Sequence, residues 1–299
     1  MLISFDSDES EITSIYSAST TDVNAAVTAA RAAFRDPSWR DIDPTHRGDL
    51  IIALAEKVNQ NLDLLATIET WDNGKTYASA LEDVIDVART LKYYGGYADK
   101  IHGQVIDTGP LKHAYTVREP VGVCGQIIPW NYPLGMAAWK LGPALACGNT
   151  VVLKAAEQTP LSILVLAEFI KEVGFPPGVV NILNGEGRVA GAALASHVDV
   201  DKIAFTGSTA TGKEIMKLAA GTMKNITLET GGKSPLLVFE DADLDQAVKW
   251  SHTGKSRFSL TVSCCKNLTS TSQASCLIKD KYAQQLLVSL YKNQSTTLS

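Results

Sequence analysis

At 299 residues, 45% of them hydrophobic, the chain is long enough for one or two domains around a substantial core. A net charge of −5 gives no electrostatic reason to bind nucleic acid or an anionic membrane, and no apolar run is long enough to cross a bilayer. Five cysteines and five histidines, none at metal-ligand or CxxC spacing, predict neither a disulfide framework nor a metal site.

The opening MLISFDSDESE is acidic and carries neither a basic nor an apolar leader region, so a cytoplasmic location is the default. From Thr21, TDVNAAVTAARAAF has apolar residues at helical spacing behind an acidic first turn. Two further amphipathic patterns follow, HRGDLIIALAEKVNQNLDLLATIETWDNGKT and ALEDVIDVARTLKYYGGYA. From about Val121 the texture changes to short strand candidates, VGVCGQII, NTVVLK, VVNILN, KIAFTG and NITLET. Helical patterns alternate with them: LSILVLAEFIKEVG, RVAGAALASH and TATGKEIMKLAAG. Strand and helix alternating at this pitch predict an α/β fold, a parallel sheet with helices on both faces. Such a sheet binds ligands beyond the carboxyl ends of its strands, where the strand order reverses. After Gly254 no sustained period remains; residues 255–299, rich in Ser, Thr, Asn, Gln and Lys, are expected to be a disordered tail.

Four segments could carry chemistry. Gly185 to Ala190 matches G-x-G-x-x-A between a strand and a helix, a weak signal that an ordinary strand-to-helix turn also explains. In Phe205-Thr206-Gly207-Ser208-Thr209-Ala210-Thr211-Gly212-Lys213, small residues would let a phosphate reach backbone N–H groups at the positive end of a helix. A plain N-cap cluster is the alternative there. In Leu228-Glu229-Thr230-Gly231-Gly232, a carboxylate at a strand end could act as general base if partial burial raises its pKa; a solvated turn carboxylate is the alternative. In Ile128-Pro129-Trp130-Asn131-Tyr132-Pro133, prolines would hold a loop rigid so that the Asn131 amide stabilises an oxyanion, and a self-capping structural Asn is the alternative.

Taken together, PWNYPLGMAAWKLGPALACGNTVVLKAAEQTPLS, VVNILNGEG, AFTGSTATGK and LETGGKSP stand in the order and spacing of the aldehyde dehydrogenase superfamily, which the chain resembles from about Glu11 to Gly254. The resemblance implies a Rossmann-like coenzyme-binding region over residues 1–254 and oxidation of an aldehyde to a carboxylic acid with NAD. Asn131 is then the oxyanion donor and Glu229 the general base. Ile128 and Trp130 lie at the coenzyme site, Trp130 beside the nicotinamide. Lys154 and Glu157 contact the adenine ribose, where the Glu157 carboxylate favours NAD over NADP. Gly187 lies near the adenine ring, and Gly207, Ser208, Thr209, Ala210, Thr211 and Gly212 form the pyrophosphate-binding helix start. Residues 103–121, including Tyr115 to Pro120, resemble the oligomerisation hairpin, implying a homo-oligomer in the family. The N-terminus departs from the family pattern, which leaves a mitochondrial location open.

The resemblance also implies a cysteine nucleophile in an NQGQxC-like motif beyond the Glu229 segment. Here the chain reads KSRFSLTVSCC instead, and Cys264, Cys265 and Cys276 lie outside any glutamine-glycine context. Gly254-Lys255-Ser256 can be encoded by GGTAAGTC, which contains a splice-donor signal; Leu268-Thr269 and Gln273 allow a branch point and an acceptor. With that interval removed, codons allowed by Ala274 to Lys292 can spell FMSNQGQICTATSRILVQE in the shifted frame. The expectation is a retained intron and a chain that lacks dehydrogenase turnover, or else a non-catalytic dinucleotide-binding fragment.

Overall fold

The computed structural model describes residues 2–5, 11–232, 235–239, 241–258 and 261–264. The chain divides into two compact units, Met1–Thr230 and Gly231–Ser299. This boundary lies where the backbone leaves the sheet at Gly231-Gly232, upstream of the residue 254 expected from the motifs.

In the first unit five strands form one parallel sheet: β1 (Val123–Ile127), β2 (Thr150–Lys154), β3 (Val180–Leu183), β4 (Lys202–Gly207) and β5 (Asn225–Thr230). Their order is β3-β2-β1-β4-β5, so successive crossovers run outward from β1 on one side and then restart on the other. The reversal between β1 and β4 is the topological switch point at which such sheets open a crevice. β1 and β2 are buried along their whole length, as central strands covered on both faces must be. Alternation sorts their side chains: Cys124 and Ile128 with Val151 and Leu153 join one core cluster, while Val123 and Ile127 with Val152 join the other.

The first cluster is closed by helices α2 (Pro44–Gln60), α3 (Leu62–Asn73), α4 (Tyr77–Gly95), α5 (Pro133–Ala146) and α6 (Leu161–Glu172); the second by α1 (Thr20–Arg35), α7 (Ala192–Ser196) and α8 (Thr209–Ala219). α1 begins with a reciprocal cap: Ser19 Oγ accepts from Asp22 N–H while the Asp22 carboxylate accepts from Ser19 N–H at 2.8 Å. The long periodic pattern from His46 to Thr76 is two helices rather than one, broken at Asn61, whose backbone leaves helical geometry at φ −121° and ψ 30°. α5 was not among the expected elements, because Pro133, Gly135, Gly142 and Pro143 mask its period. Gly142 is required there: a Cβ would stand 2.6 Å from the Tyr94 ring of α4.

At the amino edge of the sheet, Asp201 ties three elements together. Its Oδ2 accepts from Val123 N–H at 2.7 Å and from the Arg31 guanidinium of α1 at 2.6 Å. Gly122 passes beneath with φ +128°, where a Cβ would fall 2.0 Å from the same oxygen.

Two antiparallel strand pairs lie outside the main sheet, Leu2–Phe5 with Glu11–Ile15 and Val105–Ile106 with Ala114–Tyr115. The second falls within the hairpin expected over 103–121. In the second unit, Pro235–Val238 pairs in parallel with Thr261–Cys264 across the helix Leu244–Phe258. Within the tail expected to be disordered from residue 255, Lys255 to Phe258 extend a helix, and Thr261 to Cys264, β-branched at Thr261 and Val262, complete a strand–helix–strand unit. The rest of that tail, 265–299, lies outside the described residues.

Candidate functional site

A cleft of about 970 Å³ opens beyond the carboxyl ends of β1, β2 and β4, at the switch point. Its size is that of a site for a ligand well above metabolite-fragment scale. Of the residues expected to hold a coenzyme, it brings together Ile128, Trp130, Lys154, Glu157, Gly187, Gly207, Ser208, Ala210 and Thr211.

One wall carries charge. Lys154, only 3% exposed at the end of β2, places Nζ 2.6 Å from Glu157 Oε2. Burial pushes the Glu157 carboxyl up, but the Lys154 hydrogen bond and charge, with the Gly187 backbone N–H, outweigh it and hold the group below its ordinary value. A charged carboxylate is thus kept in the cleft, with part of its surface open. The G-x-G-x-x-A segment belongs to this wall: Gly187 to Gly191 form a single wide helical turn, and Gly187 approaches Glu157 closely enough that an added Cβ would lie 3.9 Å from Oε1.

The opposite wall is the start of α8. Ser208 is its N-cap, with Oγ accepting from Thr211 N–H at 3.1 Å. The N-cap and anion-site readings are compatible, because α-helix geometry leaves the N–H groups of Thr209 and Ala210 without intrahelical acceptors at the positive end of the helix. Gly212, expected among the coenzyme contacts, lies in the first turn of α8 and is not among the cleft's lining residues. It is buried against the sheet, its Cβ position 3.2 Å from Thr230 Cγ2, so that it serves helix–strand packing. Thr209 opens the helix without lining the cleft.

The loop after β1 supplies Trp130, 57% exposed, to the cleft. Asn131 and Glu229 are both exposed and are not among the cleft's lining residues. Glu229 stands at the end of β5, open to solvent. Its neighbour Lys140, on α5, is pulled below the ordinary lysine value by burial, an effect partly opposed by the Glu229 charge. Two cysteines have described surroundings. Burial in β1 pushes the Cys124 thiol up to about 12, and burial also raises Cys147, which follows α5 at the amino edge of the sheet, opposite the cleft. Neither has the lowered pKa of an activated nucleophile. The expected tail thiols Cys265 and Cys276 lie outside the described residues.

Sequence reasoning missed the supports behind the Trp130 loop. The Trp130 carbonyl accepts from Asn73 Nδ2 at 2.6 Å and Thr159 Oγ1 at 3.2 Å, and the Asn131 carbonyl from Lys75 Nζ at 3.2 Å. Buried Glu69 accepts from Leu134 N–H and Ser162 Oγ–H, and Asp72 accepts from Leu161 N–H, so acids of α3 satisfy the first turns of α5 and α6. Neither of those helices has a capping side chain at its own N-cap residue, Tyr132 or Pro160. The only sequence signal was the density of polar residues in ETWDNGK, at the end of an amphipathic helical pattern.

A family model described as "Aldehyde dehydrogenase family" matches residues 4–272. The chain belongs to the aldehyde dehydrogenase family. The match extends past both ends of the Glu11 to Gly254 segment that carries the motifs. An aldehyde dehydrogenase of Davidiella tassiana is 54% identical over 288 residues, 96% of this chain and 57% of its own length. One of Emericella nidulans is 57% identical over 249 residues, 83% of this chain and 50% of its own. An aldehyde dehydrogenase from Bacillus cereus, solved as its NAD+ complex, superposes with a TM-score of 0.86 at 41% identity, covering 97% of this chain and 58% of that one. The chain thus spans about half the length of the family members it matches. Among the described residues, no helix is long and apolar enough to cross a membrane.

Proposed function

We propose that the protein acts in NAD-dependent oxidation of an aldehyde to a carboxylic acid, and that this chain as it stands supplies the coenzyme cleft without an activated thiol. The observation that carries the first half is the pairing of buried Lys154 with charged Glu157 opposite an open helix start, across a cleft at the switch point. These residues fit a dinucleotide. Lys154 and Glu157 offer a donor and an acceptor to ribose hydroxyls, and the first turn of α8 offers N–H groups to a pyrophosphate. The Glu157 carboxylate disfavours a 2′-phosphate, which supports NAD over NADP.

Bound NAD supplies the hydride acceptor. Of the chain's own residues, the Trp130 to Tyr132 loop would orient Asn131 as an oxyanion donor, and Glu229 would serve as general base toward a thiol or water. Val105, Leu111, Tyr115 and Val117, all exposed on the 103–121 hairpin, support its part in self-association.

The raised thiols of Cys124 and Cys147 and the missing glutamine-glycine context after Gly254 support the reading of no turnover. The purified chain is expected to gain thermal stability with NAD and to form no NADH from propionaldehyde. Iodoacetamide at neutral pH is expected to leave Cys124 unlabelled. Steady NADH production, or an acyl adduct on any cysteine, would refute the inactive reading. Sequencing the mature transcript tests the intron reading: GKSRFSLTV in frame in a spliced message excludes it.

A further inference from the structure

The loop that presents Trp130 and Asn131 is held from outside the sheet. α3 ends at Gly74, whose φ of +78° reverses the chain so that Asn73 and Lys75 both reach this loop. Lys75 has three N–H donors. They meet Asp83 Oδ2 at 2.9 Å, Asn131 O at 3.2 Å and Glu69 Oε2 at 3.4 Å, while the Tyr132 ring lies 4.6 Å from Nζ. Glu69, 1% exposed, is itself held by Ser162 and by the Leu134 N–H at the start of α5. The ammonium is therefore oriented by acids of α3 and α4, the first of them held in turn by groups of α5 and α6.

The consequence is specific to peptide orientation. A trans peptide is planar, with its N–H antiparallel to its C=O. Two donors, Asn73 Nδ2 and Thr159 Oγ1, occupy the Trp130 carbonyl, so the Trp130–Asn131 peptide plane is fixed and the Asn131 N–H is directed away from them. Lys75 fixes the next plane through the Asn131 carbonyl. Both planes bracketing the Asn131 Cα are thus set by side chains that do not line the cleft.

We propose that Asn73 and Lys75 are positioning residues, which set the two peptide planes flanking Asn131 and through them the nicotinamide end of the dinucleotide site. The proposal rests on the reading of the cleft as an NAD site with Trp130 at that end. It separates the two halves of the ligand: ADP-ribose, which lacks nicotinamide, uses the Lys154–Glu157 wall and the α8 start and should be indifferent to this loop.

The test is calorimetric titration of the full chain with NAD and with ADP-ribose, for the unaltered protein and for Asn73→Ala, Lys75→Met and Lys75→Arg. Losing one oriented hydrogen bond to the loop should weaken NAD binding about tenfold in Asn73→Ala and Lys75→Met, with ADP-ribose unchanged within about twofold. Lys75→Arg, which keeps charge and donors, should recover most of the NAD affinity. Asn73 is a half-buried amide whose printed side-chain bond is the one to the Trp130 carbonyl, so Asn73→Ala tests the idea even if Lys75→Met does not fold. Equal weakening of both ligands, or unchanged NAD affinity in Asn73→Ala, would overturn the positioning role. Failure of the unaltered chain to bind either ligand would instead overturn the dinucleotide reading, and this proposal with it.

Discussion

Replacing Lys154 with Met should separate binding from folding. The ammonium is buried to all but 3%, yet its partner Glu157 is 32% exposed and can be hydrated when left alone. Methionine fills the volume of the lysine stem without a charge to desolvate, and the carboxylate left behind can turn to water, which removes most of the usual cost of breaking a buried pair. The folding free energy should therefore change by less than about 1 kcal/mol, a shift in Tm of less than about 4 °C for a domain of this size. A dinucleotide would lose a charge-assisted hydrogen bond of roughly 1.5–3 kcal/mol, which raises its Kd about 10- to 150-fold. Differential scanning calorimetry reads the first quantity, and isothermal titration with NAD the second. An unchanged Kd would refute the assignment of Lys154 to the ribose. A large fall in Tm would show that the ion pair holds the fold rather than the ligand.

Glu157→Gln removes the charge that faces a 2′-phosphate while keeping an acceptor for ribose, so the ratio of NADP to NAD affinity should rise by about tenfold or more in competition titrations. Gly122→Ala adds a Cβ 2.0 Å from Asp201 Oδ2 at a φ of +128°, and should cost on the order of 3 kcal/mol, read as a lowered urea midpoint. The Glu69 carboxyl is pushed above its ordinary value of 4.5 by burial, against the opposing pull of Lys75 and its hydrogen bonds. The folded state therefore holds this proton where the unfolded chain has released it, and stability falls as pH rises from 4.5 through the raised value. In Glu69→Gln that falling limb should be missing from a series of Tm against pH; an identical limb in both proteins would exclude Glu69 as its source.

The family and the coenzyme half of the fold were legible in the linear order of residues, because their causes are local. The five strands follow from short β-branched and apolar runs between turns, and NTVVLK, KIAFTG and NITLET end within a residue of the observed strands. Ser208 and Glu157 sit just past strand ends, and a parallel sheet brings all such positions to one edge. α5 was hidden because two prolines and two glycines interrupt its periodicity, and only contact with Tyr94 and the sheet makes those residues an advantage.

What tertiary structure alone decided is which distant groups meet. Glu69 lies 65 residues from Leu134 and 93 from Ser162, and Arg31 lies 170 from Asp201, separations across which no spacing rule operates. The close packing of Gly212 against Thr230, 18 residues on, is likewise visible only in the folded chain. Local propensity writes elements and turns into the chain; the pairing of a buried carboxylate with its donors depends on which helices share a core face, and that is settled when the apolar faces pack.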